Sequence, residues 1–357
     1  MSNGHRVLVT GGAGFIGSSI SLALAARHPG WEVTALDNLH RRGSELNLPR
    51  LRAAGVRFVH ADVRQPDDLA RVGPVDALVE CSAEPSVMAG VGGGAAYLLQ
   101  TNLTGAQHCL DLAATHGAQV IFLSTSRVYP VAGLEALRLE EEPTRFALLD
   151  QPGVPGASRA GIAEDFGLTG ARTLYGATKL AAELLVTEHA ATHGLPVTVD
   201  RCGVIAGPWQ LGKVDQGVFT HWMLSFLEGR GLRYIGYGGE GKQVRDLLHV
   251  DDLVDLVERQ LLEPEHWAGC TFNVGGGVER SLSLLETTAL CRELTGSDVP
   301  VEAEPEGRVG DVPLYLSDCA ALLAHTDWRP TRTPRDVLRD VRDWAVEHEE
   351  LRRSLDR

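Results

Sequence analysis

Thr10-Gly-Gly-Ala-Gly-Phe-Ile-Gly17 follows an apolar run, Arg6-Val-Leu-Val-Thr10, and opens a helix-like run from Phe15 to Arg27. Gly11, Gly14 and Gly17 have G-x-x-G-x-x-G spacing. Between a strand and a helix, such glycines permit a tight turn, let the backbone approach a pyrophosphate and let the helix pack on the strand. The helix N-terminus adds unpaired N–H groups and a favourable dipole. Alone, the spacing is a weak signal. It is strengthened by Asp37, twenty residues past Gly17 at the end of the next strand-like run, where a carboxylate suits a ribose 2′-hydroxyl. Asp37 repels a 2′-phosphate and so favours NAD, although Arg41 and Arg42 keep NADP open. Phe15, Ile16, Asn38, Arg42 and the Asp62-Val63 pair are the neighbouring candidate cofactor contacts.

Beyond this loop, strand-like runs at Trp31–Asp37, Val56–Asp62, Asp76–Cys81 and Ala118–Leu123 alternate with helical stretches, one of them around Ala95–His116. Val/Ile/Leu-rich strands separated by helices predict an α/β fold with a doubly wound parallel sheet covered on both faces. A long helix pattern from Tyr175 to His193 and a strand at Pro196–Asp200 continue it. Residues 203–243 are rich in Gly, Trp and Phe, and 277–357 are mostly helical. The expected division is a dinucleotide-binding domain of 1–202 plus 244–276 and a smaller C-terminal α/β lobe of 203–243 plus 277–357.

The 357 residues allow one large or two modest domains. With 44% apolar and 22% charged residues, a real core is expected. A net charge of -14 argues against nucleic acid or an anionic membrane as partner. Met1-Ser-Asn-Gly-His5 leads into a strand without signal-peptide character, and no apolar run approaches the ~20 residues of a span. Cysteines 81, 109, 202, 270, 291 and 319 are scattered with no C-x-x-C, which predicts a reducing, cytoplasmic setting and no metal site.

In Leu174-Tyr-Gly-Ala-Thr-Lys-Leu180, Tyr175 and Lys179 share a helix face. Tyrosine, with a pKa near ~10, is a poor base at neutral pH, but an adjacent ammonium and an oxidised nicotinamide favour its phenolate. It can then take a proton from a substrate hydroxyl as hydride leaves the same carbon. Phe122-Leu-Ser-Thr-Ser-Arg-Val-Tyr-Pro130 ends a strand in hydroxyls at the sheet edge where α/β proteins hold ligands. Thr125 is the candidate partner of Tyr175 on the substrate oxygen, with Ser124 and Ser126 as alternatives.

In order, the glycine loop, Asp37, Asp62, Asn102, the Thr125 region, Tyr175/Lys179, Arg201 with Gly207-Pro208, Arg245-Asp246 with His249, and Arg308 with Asp311 resemble the extended short-chain dehydrogenase/reductases that act on nucleotide sugars. The resemblance covers essentially the whole chain. It implies a Rossmann-type domain, bound NAD, and a homodimer or dimer of dimers built on paired long helices. Ala83, Asn102 and Arg201 become candidate cofactor residues by the same resemblance. Glu84, Arg127, Gln216, Gly217, Arg245, Arg308 and Asp311 become candidate substrate residues. Arginine forks suit a diphosphate, so Arg245 and Arg308 are the expected clamps, with Lys242 as a helper.

Within this family the 4,6-dehydratases carry an Asp-Glu pair after the threonine, whereas this chain has Ser126-Arg127. Asp37-Asn-Leu-His-Arg-Arg-Gly43, Thr144-Arg-Phe146, Asp215-Gln-Gly217, Gly241–His249 and Ser281–Leu285 are similar to the CDP-paratose 2-epimerases, which have a basic residue at the position of Arg127. That resemblance implies oxidation at C2 of a CDP-sugar. A UDP- or dTDP-sugar 4-epimerase or 4-ketoreductase shares the same catalytic residues, and a non-catalytic NAD-binding sensor is the alternative of another class. There are departures: Glu80-Cys-Ser-Ala-Glu84 replaces a His-Leu-Ala-Ala-Gln type of segment, Ala206 a common Tyr, and Pro130 a common Gly.

Overall fold

Val7, Leu8 and Val9 are almost wholly buried, so the strand β1 (Arg6–Thr10) has no solvent face. The computed structural model, which describes residues 4–90, 93–211 and 217–353, sets this strand inside a seven-stranded sheet. In chain order the other strands are β2 (Glu32–Asp37), β3 (Arg57–His60), β4 (Ala77–Glu80), β5 (Gln119–Thr125), β6 (Val197–Cys202) and β7 (Cys270–Val274). Their order across the sheet is β7-β6-β5-β4-β1-β2-β3, and every pairing is parallel. The chain runs outward from β1 to β3 and then returns to the other side of β1 as β4. This reversal opens a crevice at the carboxyl ends of β1 and β4, where open α/β sheets bind ligands.

Side chains alternate across the sheet, as the two-residue period of a strand requires. Val7, Val9, Ile121 and Leu123 face α1 (Phe15–Arg27) through Ile20 and Leu24, and the helix Val250–Leu262 through Leu253 and Val257. Leu8, Leu78, Val120 and Phe122 face α2 (Gly105–His116) and α3 (Leu174–His193) through Leu110, Ala113, Ala182 and Val186. Cutting Leu24 to Ala in such a core costs about 2–5 kcal/mol.

Helix α3 starts where the Thr173 side chain accepts the Gly176 amide at 3.2 Å, and stops at Gly194 in left-handed conformation (φ 67°). Such a cap contributes about 1 kcal/mol. The expected helix Ala95–His116 is instead three pieces: Ala95–Leu99, a π-helical turn Gln100–Thr104, and α2. The wider turn holds Asn102, whose side chain accepts the Glu84 amide (2.7 Å) and donates to the Glu84 carbonyl (3.1 Å) and Thr178 hydroxyl (3.2 Å). Wider turns of this kind recur at functional sites.

The smaller sheet centres on Val244–His249, which pairs in parallel with Val204–Ala206 and Leu314–Tyr315 and antiparallel with Ser281–Ser283. The segment expected to be 244–276 of the dinucleotide domain thus divides. Its strand joins the smaller sheet, while Val250–Leu262 and β7 pack with the large one. A separate pair, Leu232–Ile235 with Val301–Glu304, edges the lobe. Phe219, Trp222 and Met223 fill its core against Val337, Leu338 and Val341. Among the described residues no helix is long and apolar enough to cross a membrane, and all six cysteines are free.

Candidate active site

The glycine loop lines a groove at the β1/β4 reversal. A Cβ on Gly17 would lie 2.2 Å from the Gly11 carbonyl oxygen, and one on Gly11 (φ +60°) 2.9 Å from that of Cys81. Only glycine fits at these positions, and the backbone surface they leave suits a pyrophosphate. The start of α1 carries no side-chain cap, so its N–H groups remain for a ligand. Asp37 lines the far end of the groove, accepting the Ala13 amide at 3.1 Å and the Leu39 amide at 2.8 Å. Burial pushes its pKa up against these bonds. With the Leu39, Ala13 and Gly14 amides facing it, the carboxylate still has lone pairs for ribose hydroxyls. Gly14, Phe15, Ile16, Asn38, Arg42, Val63 and Ala83 line the same groove. The residues present therefore fit a dinucleotide.

The groove runs into a cleft of about 780 Å³ between the large sheet and the smaller lobe, with Phe15, Ile16, Cys81, Ala83 and Gln210 lining both. Ser124, Thr125, Ser126, Tyr175 and Lys179 all line the cleft. Gly176 makes this possible. A Cβ there would lie 2.0 Å from the Arg127 carbonyl oxygen, so α3 can start directly against the turn Ser126–Val128. Tyr175 and Thr125 are hydrogen-bonded through their side chains, and the Thr125 hydroxyl also accepts the Arg127 amide at 3.2 Å. Burial pushes the Tyr175 pKa up to about 12, against the bond from Thr125 and the positive charge of Arg127. Lys179 is 2% exposed, its Nζ 3.5 Å from Glu80 Oε2 and 3.9 Å from the Phe122 ring centroid.

Arg127, Arg245, Arg308 and Asp311 line the same cleft. Arg127 donates to the Gly310 carbonyl at 3.0 Å, and Arg245 pairs with Asp311 at 2.6 Å. Burial, with the like charge of Arg245, brings the Arg127 pKa down to about 10. It remains a cation at neutral pH. Gly217, His221, Trp222 and Arg233 also line the cleft. Burial, reinforced by Arg230 and Arg308, pulls the His221 pKa down.

Six expected residues sit differently. Arg201 lines neither cavity; its guanidinium grips Glu183 at 2.9 Å and reaches the Tyr129 hydroxyl at 3.3 Å, making it a buried strut beneath the site. Ser124 donates to the same Glu183 carboxylate, so its hydroxyl is committed although it borders the cleft. Glu84 faces the cofactor groove, not the substrate cleft, because Asn102 clamps its backbone. Asn102 therefore acts through that clamp. Asp62 holds Asn38 at 3.0 Å and pairs with Arg64 at 2.6 Å; burial opposes but these bonds prevail, holding its pKa down to about 2. Lys242 is taken by Glu141 and Glu240 at 2.6 and 2.8 Å. Gln216 lies outside the described residues.

Sequence reading missed Gly176, Gln210 and Asn47, whose amide donates to the Ala13 carbonyl at 2.9 Å and braces the glycine loop. Only the glycine carried a signal: a poor helix former one residue after a candidate catalytic tyrosine.

A Rossmann-type sheet, a glycine cradle ending in a carboxylate, and a Tyr/Lys/Thr cluster at its edge are the arrangement of a dinucleotide-dependent enzyme. The chain belongs to the NAD dependent epimerase/dehydratase family, whose model matches residues 7–275. It is a NAD-dependent enzyme of the nucleotide-sugar epimerase/dehydratase kind. It is 28% identical over 349 residues to a CDP-paratose 2-epimerase of Salmonella typhi, covering 95% of this chain and 99% of that one. It is 30% identical to a dTDP-glucose 4,6-dehydratase of Streptomyces griseus, covering 96% and 94%. The structure superposes with TM-score 0.72 and 27% identity on a Thermus thermophilus UDP-glucose 4-epimerase in complex with NAD, covering 95% and 98%.

Proposed function

We propose that the enzyme inverts C2 of a CDP-sugar by transient oxidation to a keto-sugar. The observation that carries this reading is the placement of Arg127. It lines the same cleft as Tyr175 and Thr125, two residues beyond the threonine, and electrostatically faces both Tyr175 and the Arg245–Asp311 pair. A cation so close to the base would bring the diphosphate near the reacting carbon. C2 adjoins the carbon that carries the diphosphate, whereas C4 lies across the ring. The similarity to the 2-epimerase of Salmonella typhi supports the same choice. Ser126-Arg127 lacks the acid and base expected of a dehydratase.

NAD, when bound, supplies the hydride acceptor and later the donor. Tyr175 takes the proton of O2 onto its phenolate oxygen and returns it after the sugar has turned. Thr125 orients that hydroxyl, and Ser126 flanks it. Lys179 holds ribose hydroxyls with the N–H groups it does not spend on Glu80. Arg127, Arg245 and Arg308 hold the diphosphate by charge-assisted forks, which keeps the keto-sugar in the cleft as it rotates. Asp311 positions Arg245, and Gly217 borders the nucleotide end. A homodimer through α2 and α3 fits the exposure of Leu184 on α3, at 64%.

The test is proton NMR of the protein with CDP-, UDP- and dTDP-sugars. Inversion at C2 of a CDP-sugar is expected. Inversion at C4, or an accumulating keto-sugar, would replace this reading with a 4-epimerase or an oxidase-type half reaction.

A further inference from the structure

Glu80 is the last residue of β4, paired in register with Thr10 on β1 and Phe122 on β5. It is 2% exposed, at the sheet edge directly beneath the cleft. Lys179 Nζ lies 3.5 Å from Glu80 Oε2. Neither carboxylate oxygen makes a close hydrogen bond to a described residue; besides Lys179, weaker contacts from the Ser82 amide and the Thr10 hydroxyl face it. Burial pushes the Glu80 pKa up and Lys179 pulls it back down, so the carboxyl keeps its charge only through that cation. Lys179 has the complementary need, because its ammonium is equally buried and packs on the Phe122 ring. The two charges therefore form one buried pair, one helical turn from Tyr175.

Among the described residues, the other ionisable groups facing this pair are three thiols and Tyr175. The thiols of Cys81 on the loop after β4, Cys109 on α2 and Cys202 on β6 are all pushed up by burial and stay uncharged. Tyr175 feels Glu80 from one side and Arg127 from the other, with opposite effects.

We propose that Glu80 is a positioning residue for the tyrosine chemistry: its carboxylate pins the Lys179 ammonium and cancels most of its field at the Tyr175 hydroxyl, so that a neutral ion pair and not a bare cation underlies the reaction centre. The proposal rests on Tyr175 being the base, but not on which carbon of which sugar reacts. Two consequences follow. Lys179 is held at a fixed depth with its remaining N–H groups turned toward the cleft. Positive charge at the phenolate must come from elsewhere, and Arg127, facing Tyr175 from the turn after β5, is placed to provide it.

The experiment is a pH titration of phenolate difference absorbance in the NAD-loaded protein, with the Tyr175 signal assigned by subtracting Tyr175→Phe. Glu80→Gln removes the charge at nearly constant shape. Glu80→His introduces the residue that the resembled segment carries there, which is neutral where tyrosine titrates. In a folded, NAD-loaded variant the Tyr175 midpoint is expected to fall by about one pH unit or more, the size of effect an uncovered cation produces within hydrogen-bonding distance. Glu80→Asp, which keeps the charge, should retain the wild-type midpoint. An unchanged or raised midpoint in either neutral variant overturns the proposal. So does failure of both neutral variants to fold, which would make the pair purely structural. Because no sugar is added, the result stands even if C2 inversion is not found. The absence of any signal lost in Tyr175→Phe would count instead against Tyr175 as the base.

Discussion

Gly176 lies so close to Arg127 that a Cβ would meet its carbonyl oxygen at 2.0 Å. The helix bearing Tyr175 and the turn bearing Arg127 are therefore one packed unit, and the base, the orienting hydroxyl and the cation are registered by a missing side chain. Gly176→Ala should push the start of α3 off the turn. Overpacking of this kind costs about 1–3 kcal/mol of stability, and a displacement near 1 Å at the base lowers turnover about 100-fold. Urea denaturation and steady-state kinetics on the same preparation measure both. Full turnover in Gly176→Ala would show that the registration is unnecessary.

Tyr175→Phe should lower kcat by about 10²- to 10⁴-fold, the usual worth of a positioned proton acceptor, while the protein still purifies with NAD. Burial pushes the Tyr175 pKa up to about 12. The active form is the deprotonated one, so the wild-type rate must rise with pH below that pKa, by about tenfold per unit where tyrosine alone limits it. The positive charge of an oxidised nicotinamide moves the rise to lower pH. A rate that falls with pH across the neutral range contradicts this assignment.

Arg127→Ala should weaken nucleotide-sugar binding by about 10- to 100-fold, the loss of one or two hydrogen bonds to a charged group. NAD content and the unfolding midpoint should change little, since the guanidinium lines the cleft and the described structure gives it a single backbone partner at Gly310. Unaltered KM and kcat would make Arg127 a bystander and remove the support for C2.

Glu183→Ala leaves the Arg201 guanidinium buried and uncompensated and frees the Ser124 hydroxyl. Breaking a buried pair from one side costs about 3–5 kcal/mol. The expected signature is a large fall in the urea midpoint with NAD affinity largely retained in the folded fraction, because Arg201 touches neither cavity. Loss of NAD binding without loss of stability would return Arg201 to the cofactor site.

The parts legible in the sequence were those whose chemistry is local. The glycine loop with Asp37 announces itself by spacing between a strand and a helix, and the structure places it at the β1/β4 reversal. Tyr175 and Lys179 share a helix face by simple period, and Thr125 ends a buried strand. What escaped depends on partners distant in sequence. Arg201 reads as a ligand-binding cation until Glu183 is seen across the α3–β6 contact. Lys242 reads as a phosphate ligand until Glu141 and Glu240 are seen beside it. The direction of Glu84 is set by Asn102 in a π-helical turn that apolar periodicity does not report. Nothing in Val244–His249 itself says which sheet it joins, and its neighbours Val204–Ala206, Ser281–Ser283 and Leu314–Tyr315 assign it to the smaller one.

The central claim is that hydride leaves and returns to the same carbon within one closed cleft. Its most direct test is turnover of a CDP-sugar carrying deuterium at C2, followed by NMR and mass analysis of the product. Inverted product that keeps deuterium at C2, with no exchange against solvent, is the predicted result. Inversion with deuterium replaced by solvent hydrogen at C2 would contradict the account, because it would mean proton abstraction from carbon in place of hydride transfer.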